Sequence, residues 1–141
     1  MAGAESGDVL MLEPGIYRGE DNRNIQVSGK TLTVRGQDRT GCVIDLQGLG
    51  RAFDVRSDAG LTLEHLTLQR GIEGNGGALY LYGGVLTVED CLFIDNIASN
   101  TGGAIHVSQG ECDLRDSLFV QNTSLGNGGA VATGWSAGQL T

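Results

Sequence analysis

Five residues of this chain carry the side chains that a sugar-binding face needs. Asp54, Tyr80 and His106 stand 26 apart in sequence, and Arg56, Tyr82 and Ser108 repeat the spacing beside them. In a chain that coils with that period, each set falls into one outward column. Aromatic faces offer stacking surface, and a carboxylate, a guanidinium and an imidazole offer planar hydrogen-bond partners. The candidate substrate-binding residues are therefore Asp54, Arg56, Tyr80, Tyr82 and His106, with no catalytic residue assigned. A calcium-dependent polysaccharide lyase needs an acidic cluster and a nearby base, and Asp54 and Arg56 offer only one of each. A paired-carboxylate hydrolase needs two acids about 5–10 Å apart across one cleft, and short turns leave no loops to wall a cleft.

Other chemistry-bearing residues read as structural. Asp90 and Asp116 share the same spacing, with His65 about one coil before. Stacked carboxylates can raise a pKa or hold a cation, but Asp at a turn more commonly bonds local backbone. Glu89 and Arg115, beside them, are expected to offset the repulsion. Cys42, Cys91 and Cys112 show neither a CxxC pair nor metal spacing, and Cys91 and Cys112 fall in apolar columns, as buried inert thiols do. Gly74-Asn75-Gly76-Gly77 and Gly126-Asn127-Gly128-Gly129 are turn sequences, because a phosphate loop needs a following helix and none is predicted. No metal and no cofactor is expected.

The elements that must position these residues follow from the repeat. Gly76-Gly77-Ala78-Leu79 recurs as Gly102-Gly103-Ala104-Ile105 and as Gly128-Gly129-Ala130-Val131. Phe93-Ile94-Asp95-Asn96 recurs as Phe119-Val120-Gln121-Asn122 in the same register. A degenerate copy lies upstream at Phe53, Val55, Leu63, Leu66 and Leu68, and a first coil begins at Asp8 and turns at Glu13-Pro14-Gly15. Within each period apolar residues alternate, as in Leu79/Leu81, Leu86/Val88 and Cys91/Phe93, which is the strand signal. Three short strands, each of about three to five residues, fill a coil, with breaks at Gly83-Gly84 and Glu89-Asp90. One coil cannot bury its inward face, so coils must stack with strands in parallel register: an all-β parallel β-helix. Its inward columns are Phe53/Leu79/Ile105/Val131, Leu63/Val88/Leu114 and Leu68/Phe93/Phe119. Asn96 and Asn122 share one turn position, where stacked amides hydrogen-bond along the axis.

Composition agrees. Twenty-four of 141 residues are Gly and one is Pro, as expected of sharp turns at positive φ and of strands that need every N–H. The net charge of −8 opposes nucleic acid and anionic lipid as partners. No apolar run approaches the roughly 18 residues of a membrane helix.

The Gly-Gly-Ala-(Leu/Ile/Val) and Phe-x-x-Asn motifs resemble the repeats of chlamydial polymorphic outer-membrane proteins and similar bacterial β-helix surface proteins, over about residues 52–141. The resemblance implies a right-handed β-helix and an exported, cell-surface passenger, often adhesive, in which Gly76, Gly102, Asn96 and Asn122 shape the coils. The opening Gly7-Asp8-Val9-Leu10-Met11-Leu12-Glu13-Pro14-Gly15-Ile16-Tyr17 also resembles the first coil of pectate-lyase-like β-helices. The expected domain is a single one over 1–141, irregular over 1–51 and regular over 52–141. The first residues show no signal-peptide pattern, no C-terminal membrane barrel follows, and Leu140-Thr141 resembles the strand opening at Leu86-Thr87, so a piece of a longer solenoid is expected. The leading function is a structural or adhesive, non-catalytic segment of a surface protein, at an extracellular or outer-membrane location. The alternative is a polysaccharide-binding or polysaccharide-cleaving β-helix. Polysaccharide or a host surface are the expected partners.

Strand parity leaves Leu92, Ile94, Leu118 and Val120 outside, with polar Thr67 and Gln69 at the matching earlier positions. An apolar patch of this kind is expected to support self-association, as is an open C-terminal coil with unpaired strands.

Overall fold

The computed structural model describes residues 5–133 and 139–140; the chain's first four residues and Thr141, which entered the reading of its two ends, lie outside them. The first coil holds β1 (Asp8–Leu12) and β2 (Gly15–Tyr17), and a single 3-10 turn at Glu20–Asn22 leads on to β3 (Ile25–Ser28). The second holds β4 (Thr31–Gly36) and β5 (Cys42–Asp45). Three regular coils follow: β6 (Phe53–Glu64), β7 (Thr67–Gln69) and β8 (Ile72–Asn75); β9 (Leu79–Glu89), β10 (Leu92–Ile94) and β11 (Ile97–Thr101); β12 (Ile105–Arg115), β13 (Leu118–Val120) and β14 (Thr123–Ser124). β15 (Val131–Thr133) and β16 (Gln139–Leu140) pair with β12. The described pairings are all parallel, each strand meeting its copy one coil away, and they build sheets of eight, five and three strands. The molecule is a parallel β-solenoid of about five turns.

The three inward columns form as their spacing requires. Phe53 pairs Leu79, then Ile105, then Val131; Leu63 pairs Val88, then Leu114; Leu68 pairs Phe93, then Phe119. Phe53, Leu79, Ile105, Leu63, Val88, Leu68 and Phe93 are wholly buried, whereas Leu114, Phe119 and Val131 are half-buried and pack at the edge of the core. The Phe93 and Phe119 rings stack 4.9 Å apart and 5° from parallel.

One strand per coil is longer than alternation predicts. Gly83-Gly84 does not end β9; the strand runs through it and turns a corner as a bulge, with Gly83 at φ 88° and Gly84 at φ 112°. A Cβ on Gly84 would overlap the Ala59 carbonyl of the preceding coil, so glycine permits continuous pairing there. Pairing shifts at this bulge, and Tyr82 meets Gln109 instead of Ser108.

The two sequence motifs make the remaining corners. Gly76 and Gly102 sit at φ 65° and 68°, and the backbones of Gly77 and Gly103 lie too close to the next coil for any side chain. Asn96, fully buried, accepts from Gly71 N–H (2.8 Å) and donates to Leu68 O (3.1 Å) and Asn122 Oδ1 (3.0 Å). Asn122 repeats the pattern one coil on: its Oδ1 accepts from Asn96 N–H (3.1 Å) and its Nδ2 donates to Phe93 O (2.9 Å).

Candidate functional site

β6, β9 and β12 bring the five candidate residues onto one outward face. Register places Asp54, Tyr80 and His106 in one column and Arg56 beside Tyr82 in the next. The Tyr80 and His106 rings lie 5.4 Å apart at 12°, and Tyr82 lies parallel to Tyr80 at 6.5 Å. Arg56 Nε donates to Asp54 Oδ1 at 2.8 Å. Tyr82, the fifth, is the most exposed aromatic of the face, at 45%.

A sixth residue, Arg51, completes the cluster and was not among the sequence candidates. It lies in the turn before β6, outside the alternating columns. Its guanidinium donates to the carbonyls of Asn75 (2.7 Å) and Gly76 (3.3 Å), approaches Asp54 at 3.7 Å, and lies 5.0 Å over the Tyr80 ring. Arg56 lies 5.9 Å from the same centroid. These cations belong to the coil before Tyr80 and His106 to the coil after it, so both faces of Tyr80 are occupied. Asp54 is likewise committed to two arginines. Cation–π and stacking contacts of this kind hold neighbouring coils together.

His106 Nδ1 lies 2.7 Å from Thr101 Oγ1, which donates to Asn75 Oδ1 at 2.7 Å. A hydroxyl has one proton. Thr101 gives it to Asn75, so His106 Nδ1–H is the donor to Thr101 and Nε2 carries a lone pair. Burial, and secondarily Arg51, lowers the His106 pKa, which keeps the ring neutral at neutral pH.

The second acidic column is tied up differently from the turn reading. Asp90 is held at 2.8 Å by His65 Nδ1 and at 3.4 Å by Arg39 Nη1, a side chain to side chain arrangement. Arg39 also donates to Asp116 O across 77 residues of sequence, and its own carbonyl accepts from the Thr67 hydroxyl. Glu89 and Arg115 are paired in register, but Arg115 forms its ion pair with Asp113 at 2.6 Å. No group of three or more potential metal ligands occurs among the described residues. All three cysteines are buried and free, and burial pushes the Cys91 and Cys112 thiols up to about 12.

A charge cluster built on one buried carboxylate lies where no sequence motif marks it. Asp45, at the end of β5, bonds Arg18 (3.0 Å), Arg70 (2.8 Å) and the Gln47 N–H (3.0 Å). Burial alone would raise its pKa; the Arg70 and Arg18 hydrogen bonds and the Gln47 N–H overcome this and hold the carboxyl at about 2. It joins three successive coils.

The outward strip on β10 and β13 has the predicted register: Leu92 pairs Leu118 and Ile94 pairs Val120, with Thr67 and Gln69 one coil earlier. Leu118 and Val120 are exposed and Leu92 and Ile94 half-buried, while Thr67 is buried. Ile97 and Ile72, on β11 and β8, are also exposed. Half-open cavities lie elsewhere on the wall, one of about 210 Å³ over Thr31, Thr33, Thr62 and Thr87 and another of about 400 Å³ between Gln47, Arg70, Ile72, Asp95 and Ile97. Neither is lined by the five candidate residues.

Fold and repeat together define the class: a parallel β-solenoid built from Gly-Gly-Ala and Phe-x-x-Asn coils. Residues 90–108 and 116–134 each match the Chlamydia polymorphic membrane protein repeat. These stretches hold Phe93 to Ile105 and Phe119 to Val131, so both motifs fall inside both matches. The chain thus resembles the repeats of that surface-protein family in its later coils. No curated protein and no solved structure matches it.

Proposed function

We propose that this chain is a non-catalytic, adhesive segment of a rod displayed at a bacterial surface, outside the cell or on its outer membrane. The observation that carries the reading is the wall itself. Between β6 and β14 every connection is two or three residues long, so no loop rises to enclose a reaction. Adhesion suits such a surface, which is regular and open from β6 to β14. Asp54 supports the non-catalytic reading against its polysaccharide-cleaving rival, because the carboxylate is already neutralised by Arg51 and Arg56.

The test is a paired assay on the purified chain. Fluorescent beads coated with it should bind epithelial cells above beads coated with albumin. The same protein, incubated with pectin, other uronans and neutral glycans, should release neither reducing ends nor unsaturated products. Turnover of any of these polymers refutes the non-catalytic half, and bead binding at the albumin level refutes the adhesive half.

A further inference from the structure

We propose that the Tyr80–His106 face binds an uncharged saccharide edge-on, with His106 Nε2 accepting a sugar hydroxyl, Tyr80 Oη bonding a neighbouring hydroxyl, and Tyr82 packing against the sugar's C–H surface. The inference rests on the adhesive reading above and names what the face would hold.

The argument starts from groups the fold leaves unused. Every buried side-chain nitrogen or oxygen among the described residues has a hydrogen-bond partner. His106 Nε2, Tyr80 Oη and Tyr82 Oη bond none of the described residues, so each is open to water. The Thr101–Asn75 relay fixes the imidazole tautomer, and Nε2 is therefore an acceptor. Arg51 and His106 cover the Tyr80 faces, so its phenolic edge is what it presents. The row is preorganised: relay, ring stack and strand register hold it before any ligand arrives, which lowers the ordering cost of binding.

The same geometry selects the ligand's charge. A carboxylate is held best by an uncommitted cation, but Arg51 is only 15% exposed and tied to two carbonyls and Asp54, and Arg56, although more exposed, has its Nε and its charge engaged by Asp54. The lone pair on Nε2 repels an anion, as does the chain's net charge of −8. A hydroxyl fits, since it both donates and accepts. Adjacent rings 5.4 Å apart present their edges one coil apart, close to the rise of roughly 4.8 Å between strands. A glycan lying along the axis would thus meet one edge per coil.

The test uses the chain on an array of neutral and acidic glycans, followed by titration of the best ligand. Two variants separate binding from folding: Tyr82→Ala, on the exposed side, and His106→Phe, which retains a ring to stack on Tyr80 but removes the acceptor. Wild type should bind neutral glycans above acidic ones, and each variant should weaken the best by about tenfold or more with an unchanged circular dichroism spectrum. His106→Gln, which restores an acceptor, should recover part of the loss. Preference for acidic glycans, equal binding by His106→Phe and wild type, or no glycan binding at all overturns the proposal. Cell adhesion without glycan binding would leave the adhesive reading standing and remove this one; loss of both would remove both.

Discussion

Replacing Asn96 by alanine tests the axial amide ladder, and the structure fixes the expected cost. Asn96 is fully buried and its amide serves three groups: Gly71 N–H, Leu68 O and Asn122 Oδ1. Removing it leaves the Gly71 N–H without an acceptor in a place water does not reach, while the Leu68 carbonyl loses one of two donors and keeps its strand-ladder bond. A buried polar group left unsatisfied costs about 1–3 kcal/mol. With the weaker loss at Leu68 added, Asn96→Ala is worth about 2–3 kcal/mol. Asn122→Ala removes the same pattern from a half-buried coil, where water replaces part of it, so about 1–2 kcal/mol is expected. Urea unfolding followed by circular dichroism gives the global ranking. Hydrogen exchange at the Gly71 amide gives the local one, because that proton loses the Asn96 oxygen as its acceptor. Equal midpoints for the two variants, or unchanged protection of Gly71 in Asn96→Ala, would refute the ladder as a source of stability.

Phe93→Ala should cost about 3–5 kcal/mol as a wholly buried aromatic, and Phe119→Ala clearly less, since its ring is half-buried; equal unfolding midpoints would contradict this. Asp45 has a folded pKa of about 2, below the ordinary carboxylate value of 3.8. Its stabilisation is therefore complete above about pH 4 and is lost as pH falls through about 2, a change of about 2 kcal/mol. Acid titration of wild type should show that slope and Asp45→Asn should lack it; parallel curves would show that the cluster contributes nothing. If the apolar strip joins copies of the chain, sedimentation should show self-association that Leu92→Thr with Leu118→Thr abolishes; a monomeric wild type, or association that survives the change, rules this out.

The repeat was legible because each coil writes its inward side chains at a fixed spacing. Phe53, Leu79 and Ile105, or Leu68 and Phe93, need only the period and strand parity to be placed. The Asn ladder was legible for the same reason. The long strand was not, since Gly83-Gly84 reads as a break when alternation is the only guide; that the glycines bend a strand depends on the Ala59 carbonyl behind them. The displaced pairing of Tyr82 with Gln109 follows from that bulge. At the candidate face, the column of Asp54, Tyr80 and His106 was visible, but its stacking order was not. Arg51 escaped because it lies in a turn and reaches sideways to the carbonyls of Asn75 and Gly76, almost one period further along the chain. That near-period offset is the signal that could have found it. Asp45 escaped because its partners Arg18 and Arg70 stand about one coil to either side of it, in or next to the irregular coils, where no motif marks the register.

The Asn ladder has a direction. Asn96 serves Leu68 and Gly71 of the coil before it, and Asn122 serves Phe93 and Asn96 in the same sense. The coils of β7 and β10 are thus each finished by the coil that follows. Cutting coils from the C-terminal end strips amide partners from the coil newly exposed, whereas cutting from the N-terminal end removes only groups that were being served. The rod is therefore polar in its mechanics as well as its sequence: fraying should travel from the C-terminal end inward, and a coil added there closes the bonds of the one already in place.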